Sequence, residues 1–182
     1  MLSGLLINVS LYVILRFKML LTGNPAVLPP GPVLVGFGLL TLLFGALMPY
    51  GRRDIKRMFA YSSIEHMGLC AVAFGLGGPL ANFAGLLHMA MHSLVKSAIF
   101  FAVGNAVQIK GSQRLADIRG LTVSHPVLGW GLVLGVAAIA GLPPFGLFTS
   151  EFLLITSSFS HAPLVIGAVI VGLLVAFGAL IQ

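Results

Sequence analysis

The chain has 182 residues, of which 58% are hydrophobic and 8% charged, with a formal net charge of +6 and a mean hydropathy of +1.08. A soluble domain carries roughly a quarter charged residues, so water is excluded as the only solvent. The length suits about six membrane helices of about 20 apolar residues each. Nucleic acid is not the expected partner of the positive charge, because the basic residues fall in short links between apolar runs, where the positive-inside rule places them.

The first apolar segment covers residues 3–21. No basic stretch precedes it, and Arg16 and Lys18 come late in it, so it reads as a membrane span rather than a secretion signal. Asn8 lies mid-way along it; a neutral amide there implies a helix–helix hydrogen bond. A turn-rich stretch, Gly23-Asn24-Pro25 to Pro29-Pro30-Gly31-Pro32, separates it from the second segment, residues 33–50. The basic link Arg52-Arg53-Asp54-Ile55-Lys56-Arg57 follows, then the third segment, residues 58–76, with Cys70 expected as a small core residue. Gly77-Gly78-Pro79 makes a tight turn into the fourth segment, residues 80–109. A polar loop, residues 110–125, leads to the fifth, residues 126–159, and the sixth runs over residues 163–182.

The fifth segment is too long for one straight span and too short for two. Leu142-Pro143-Pro144-Phe145-Gly146 interrupts it, and proline both removes a backbone donor and clashes with the preceding turn. Two readings stand: a discontinuous helix of the kind that places free backbone groups around a midplane ion site, or a proline kink. The fold class expected is all-α, a multi-span transmembrane bundle of about six spans forming a single domain, with one broken helix at Pro143, Pro144 and Gly146. Alternation of sides puts the links at 51–57 and 110–125 on one face with Arg52, Arg53, Lys56, Arg57, Lys110, Arg114 and Arg119, which makes that face cytoplasmic. The abrupt first and last spans suggest a piece of a longer bundle.

A charged group inside a bilayer costs on the order of 3 kcal/mol by insertion scales, so each ionisable residue in these segments needs a reason. His88, His92 and Lys96 are spaced i, i+4, i+8 and form one stripe along a helix. Histidine exchanges protons near neutrality, and a desolvated lysine can do likewise. The stripe therefore reads as a proton path, with structural hydrogen bonding and a His88/His92 zinc site as alternatives. No glutamate follows His88 as in H-E-x-x-H, and Lys96 disfavours a cation. Glu65-His66 is either a pair snorkelling to the basic interface or a feed into the same path. Glu151, two turns past the prolines, is a buried proton site, a counter-charge for a lysine, or a residue of the far interface. His125 and His161 sit at segment ends and are expected to be solvated. A single cysteine cannot hold an iron–sulfur cluster, and no phosphate-binding loop is present; no cofactor is expected, and no catalytic or metal residue is assigned.

The run Asp54-Ile55-Lys56-Arg57-Met58-Phe59-Ala60-Tyr61-Ser62-Ser63-Ile64-Glu65-His66-Met67-Gly68 resembles the antiporter-like membrane subunits of respiratory complex I and of membrane-bound hydrogenases. His88, His92 and Lys96, then Gly141-Leu142-Pro143-Pro144-Phe145-Gly146 and Ser150-Glu151-Phe152, match the same family in the same order. The wording Ser-Ile-Glu-His-Met-Gly and the run Ser93-Leu94-Val95-Lys96-Ser97-Ala98-Ile99-Phe100-Phe101 look most like the hydrogenase-4 component F branch. The resemblance covers essentially the whole chain. It implies the later half of a bundle of two inverted repeats, and proton translocation coupled to redox chemistry in partner subunits of a bacterial or archaeal cell membrane. Those partners are other membrane subunits and a peripheral redox arm of nickel–iron hydrogenase or quinone-reductase type. It also implies that His88, His92, Lys96 and Glu151 occupy the family's channel positions. Where many relatives carry lysine in the first broken helix, this chain has Asn8, so the first half-channel is incomplete and the second intact. A secondary cation/proton antiporter and a non-transporting hydrogenase anchor remain the alternatives.

Overall fold

The computed structural model describes residues 5–24, 28–161 and 163–181. The start of the first expected span, Pro25, Gln182 and the side chain of His161 lie outside those residues. The architecture is helical, with α1 Ile7–Leu21, α2 Pro30–Leu47, α3 Ile55–Leu76, α4 Gly78–Lys110, α5 Leu121–Ser124, α6 Pro126–Ile139, α7 Gly146–His161 and α8 Pro163–Leu180. Of these, α2, α4 and α8 are each long and apolar enough to cross a membrane, and α6 is a shorter apolar helix. Large hydrophobic side chains such as Val127, Leu164, Leu20 and Phe37 point outward, as expected where lipid or neighbouring helices replace water.

Several boundaries differ from the sequence expectation, α4 starting at Gly78 and α5 lying within the expected 110–125 loop among them; two others have clear local causes. The Pro29–Pro32 stretch is not all turn, because α2 begins at Pro30. Proline is tolerated in the first turn, where its missing N–H would have no partner anyway. Half of the basic link is also helix. Asp54 caps α3, its carboxylate accepting from the backbone N–H of Lys56 at 2.9 Å and Arg57 at 3.0 Å, so the helix starts three residues before Met58.

The two basic links do meet on one face. Asp54 and Arg114 form an isolated antiparallel bridge, with Ile55 N–H donating to Gln113 O at 3.1 Å and Leu115 N–H to Arg53 O at 2.9 Å. At the other end of α3, Lys18 donates to the Phe74 carbonyl, a cation at a helix C-terminus where the backbone dipole favours it.

The bundle is organised around α3, of whose 22 residues 16 are buried. Glycines make this possible. Gly31, Gly38 and Gly45 recur every seven residues on α2 and face α3, which presents Gly68 and Gly75. A Cβ on Gly38 would lie 2.7 Å from the Val72 amide nitrogen, and one on Gly75 2.7 Å from that of Val35. On Gly45 and Gly68 it would overlap the backbones of Glu65 and Leu42. Small residues of this kind let membrane helices pack backbone to backbone. The other side of α3 packs on α4, and α4 in turn on α6 and α7, while α8 closes against α2.

Helix α6 ends before the prolines are reached. Gly141 has φ +67°, Leu142 N–H bonds to Ala137 O at 3.1 Å and Gly141 N–H to Ala138 O at 3.3 Å. This is a Schellman termination with glycine in the left-handed position. The break is therefore set by Gly141, and Pro143 and Pro144 keep the chain from resuming the helix before Gly146.

The glycine contacts can be tested directly. Gly45→Val or Gly68→Val should abolish folded, monodisperse protein in detergent, because backbone atoms cannot yield to a side chain. Gly104→Ala, where an added Cβ meets nothing within 4 Å, should be neutral or stabilising by up to about 1 kcal/mol, read from the thermal unfolding midpoint.

Candidate functional site

The stripe predicted on the fourth segment exists on α4 and faces inward: His88, His92 and Lys96 are 2%, 0% and 0% exposed. Glu65 and His66 are 1% and 2% exposed. They are thus not snorkelling to the basic interface; the packing of α2 on α3 turns them into the bundle, toward α4. Glu151, from α7, is 9% exposed and joins the same interior, which removes the far-interface reading.

The groups form a continuous cluster. Lys96 Nζ donates to the Phe59 carbonyl on α3 at 2.7 Å and lies 5.4 Å from the centre of the Phe59 ring. The His66 ring stands between the two α4 histidines, with ring centroids 5.2 Å from His92 and 5.1 Å from His88. Its Nε2 is 3.4 Å from a Glu65 carboxyl oxygen, and its Nδ1 is 3.0 Å from His88 Nε2. On the far side, His88 Nδ1 is 2.8 Å from Ser150 Oγ. Among the described residues of this cluster, both ring nitrogens of His92, His66 Nε2, one Glu65 oxygen and Ser62 Oγ have no hydrogen-bond partner. Buried polar atoms of this sort are where internal water is held.

The break between α6 and α7 shapes the end of the cluster. The Glu151 carboxyl lies against Gly141, so close that a Cβ there would overlap its oxygens. The glycine that ends α6 thus also makes room for the carboxyl group. His66, His88 and Glu151 each present a ligand atom within 4.8 Å of the others, a set whose chemistry could hold a metal ion. The structure thus groups His88 with a residue from α3 and one from α7. Asn8 makes the interhelix bond expected of it, donating to Ser93 Oγ at 2.6 Å and toward Met89 O at 3.3 Å. Cys70 is buried. His125 is exposed at the start of α6.

Two contributors escape sequence reasoning. Ser150 touches His88 across 62 positions of sequence, and only its place beside Glu151 gives a signal. The other is the α2–α3 contact, for which the seven-residue glycine spacing is the available sign.

The chain is thus a helical membrane bundle with a broken helix and buried lysine, histidine and glutamate side chains. The chain belongs to the family described as the transmembrane part of NADH:quinone oxidoreductase and Mrp antiporter proteins, which matches residues 1–178. It is 66% identical over 180 residues to a hydrogenase-4 component F homolog of Methylacidiphilum infernorum, covering 99% of this chain and 38% of that protein. It is 33% identical to an Na(+)/H(+) antiporter subunit of Alkalihalophilus pseudofirmus, covering 96% and 36%. Its fold matches a chain of the membrane-bound sulfane sulfur reductase, an archaeal respiratory membrane complex, with a TM-score of 0.88 and 28% identity, covering 98% of this chain and 37% of the other. The chain thus spans somewhat over a third of the length of these relatives, and it is a multi-pass protein of the bacterial or archaeal cell membrane.

Gly141→Ala should destabilise the protein by about 1–2 kcal/mol from the left-handed backbone alone, with more from the overlap with Glu151. Combined with Glu151→Ala, the steric part should be recovered. A double-mutant cycle on unfolding midpoints should show a favourable coupling of about 0.5–3 kcal/mol; strict additivity would contradict the contact.

Proposed function

We propose that this chain supplies the second half-channel of a proton-translocating membrane subunit in a redox-driven complex of the membrane-bound hydrogenase or NADH:quinone type. One observation carries the reading: Lys96, His92, His66, Glu65, His88 and Glu151 converge in the bundle interior, each buried, where charge is expensive and structure alone does not require it. Lysine and carboxylate supply ends that load and release protons. The three histidines between them accept on one nitrogen and donate from the other. Water bridging His92 and the free Glu65 oxygen joins the groups that do not touch.

Electrons take another route. With one cysteine the chain lacks the thiolates for a cluster, so the driving redox chemistry belongs to a peripheral arm and the work of this chain to its membrane partners. The identity to the hydrogenase-4 component F homolog supports the hydrogenase branch. The likeness to an Na(+)/H(+) antiporter subunit favours a second reading, cation/proton exchange by the same buried groups. Electroneutral sodium efflux from vesicles with no redox donor would select it.

In the assembled full-length complex, Lys96→Ala should lower redox-driven proton uptake into inverted vesicles by about 100-fold or more, with assembly retained. Pumping at the wild-type rate would overturn the proposal.

A further inference from the structure

Hydrogen-bond accounting around Ser150 fixes more than its position. Ser150 Oγ is 2.8 Å from the Leu147 carbonyl oxygen and 2.8 Å from His88 Nδ1. A carbonyl can only accept, and serine has one hydroxyl hydrogen. If that hydrogen turned to the histidine, two oxygens would face each other at 2.8 Å with nothing between them. The hydroxyl therefore donates to Leu147, and its oxygen accepts from His88. This places a hydrogen on His88 Nδ1 and, in the neutral ring, leaves Nε2 bare. The contact from His88 Nε2 to His66 Nδ1, at 3.0 Å, needs one hydrogen as well, and it must come from His66. The remaining His66 nitrogen, Nε2, then carries no hydrogen; it lies 3.4 Å from a Glu65 oxygen, with no hydrogen bond between them.

We propose that Ser150 is a positioning residue that holds His88 in the Nδ1–H tautomer and so sets the polarity of the His66–His88 pair. The inference rests on the proton-path reading of the preceding subsection. With both rings so set, a proton leaves the Glu65 carboxyl and bonds to His66 Nε2. The His66 Nδ1–H bond breaks as the His88 Nε2–H bond forms. Glu65 becomes a carboxylate, His88 an imidazolium, and no other atom is gained or lost. Ser150 does not pass the proton on, since its own hydrogen is committed to Leu147. The charge stops on His88, where a Glu151 carboxyl oxygen lies within 4.8 Å of the histidine ligand atoms. A serine one residue before the glutamate thus makes His88 a defined stopping point.

The test uses the full-length subunit in its complex, with nitrogen-15-labelled histidine. The His88 resonances, assigned by their loss in His88→Asn, should report protonated Nδ1 in the wild type and in Ser150→Thr, which keeps the hydroxyl. Ser150→Ala should lose that preference, and redox-driven proton uptake should fall about tenfold in Ser150→Ala while Ser150→Thr stays near wild type. An unchanged Nδ1–H signal in Ser150→Ala would overturn the role of Ser150. The tautomer readout does not depend on transport, so it stands apart from the Lys96→Ala result, which tests the proton path itself. A wild-type ring protonated on Nε2 alone would equally overturn the assignment.

Discussion

Glu65 is buried because nothing stands between its backbone and that of Gly45. At that point α2 and α3 come so close that even a methyl group would not fit. Lipid and water are shut out from the rear of α3, and the side chains of Glu65 and His66 face α4 and Glu151 of α7. The rest follows from this contact. His66 stands between His88 and His92 only because α3 is held in this rotation, and Lys96 finds the Phe59 carbonyl for the same reason. An apolar contact made of hydrogen atoms on glycine carbons thereby determines where the polar chemistry lies.

Much of this is legible in sequence, and what is hidden is tertiary. The apolar runs, the stripe from His88 to Lys96 and an interruption at residues 142–146 can be read from period and composition alone, since they are properties of one helix at a time. The burial of Glu65 and His66 cannot be read, because a residue two turns from a basic link is compatible with either interface or interior until its neighbours are known. The cause of the break is obscured for a different reason. Prolines draw attention as breakers, yet Gly141 terminates α6, and the prolines act on the segment that follows. Ser150 is hidden because its partner is on another helix.

The proposed proton path is given particular atoms by this geometry. Two histidines in contact through single nitrogens form a wire one hydrogen wide. Such a wire has a direction only if something outside it fixes a tautomer. The break between α6 and α7 brings that fixing group and a carboxylate to the end of the wire together, on consecutive residues.

The bridge between Asp54 and Arg114 has a mechanical consequence. The two hydrogen bonds that make the bridge, Ile55 N–H to Gln113 O and Leu115 N–H to Arg53 O, lash the beginning of α3 to the loop that leaves α4. The two helices are also joined at their other ends by Gly77 alone. They form a closed frame, fixed at top and bottom, that carries Glu65, His66, His88, His92 and Lys96 at constant spacing along each helix. Helix α7 follows the non-helical residues 140–145 and packs on this frame through α4. The frame thus acts as a fixed ruler, and α7 sets Ser150 and Glu151 against it.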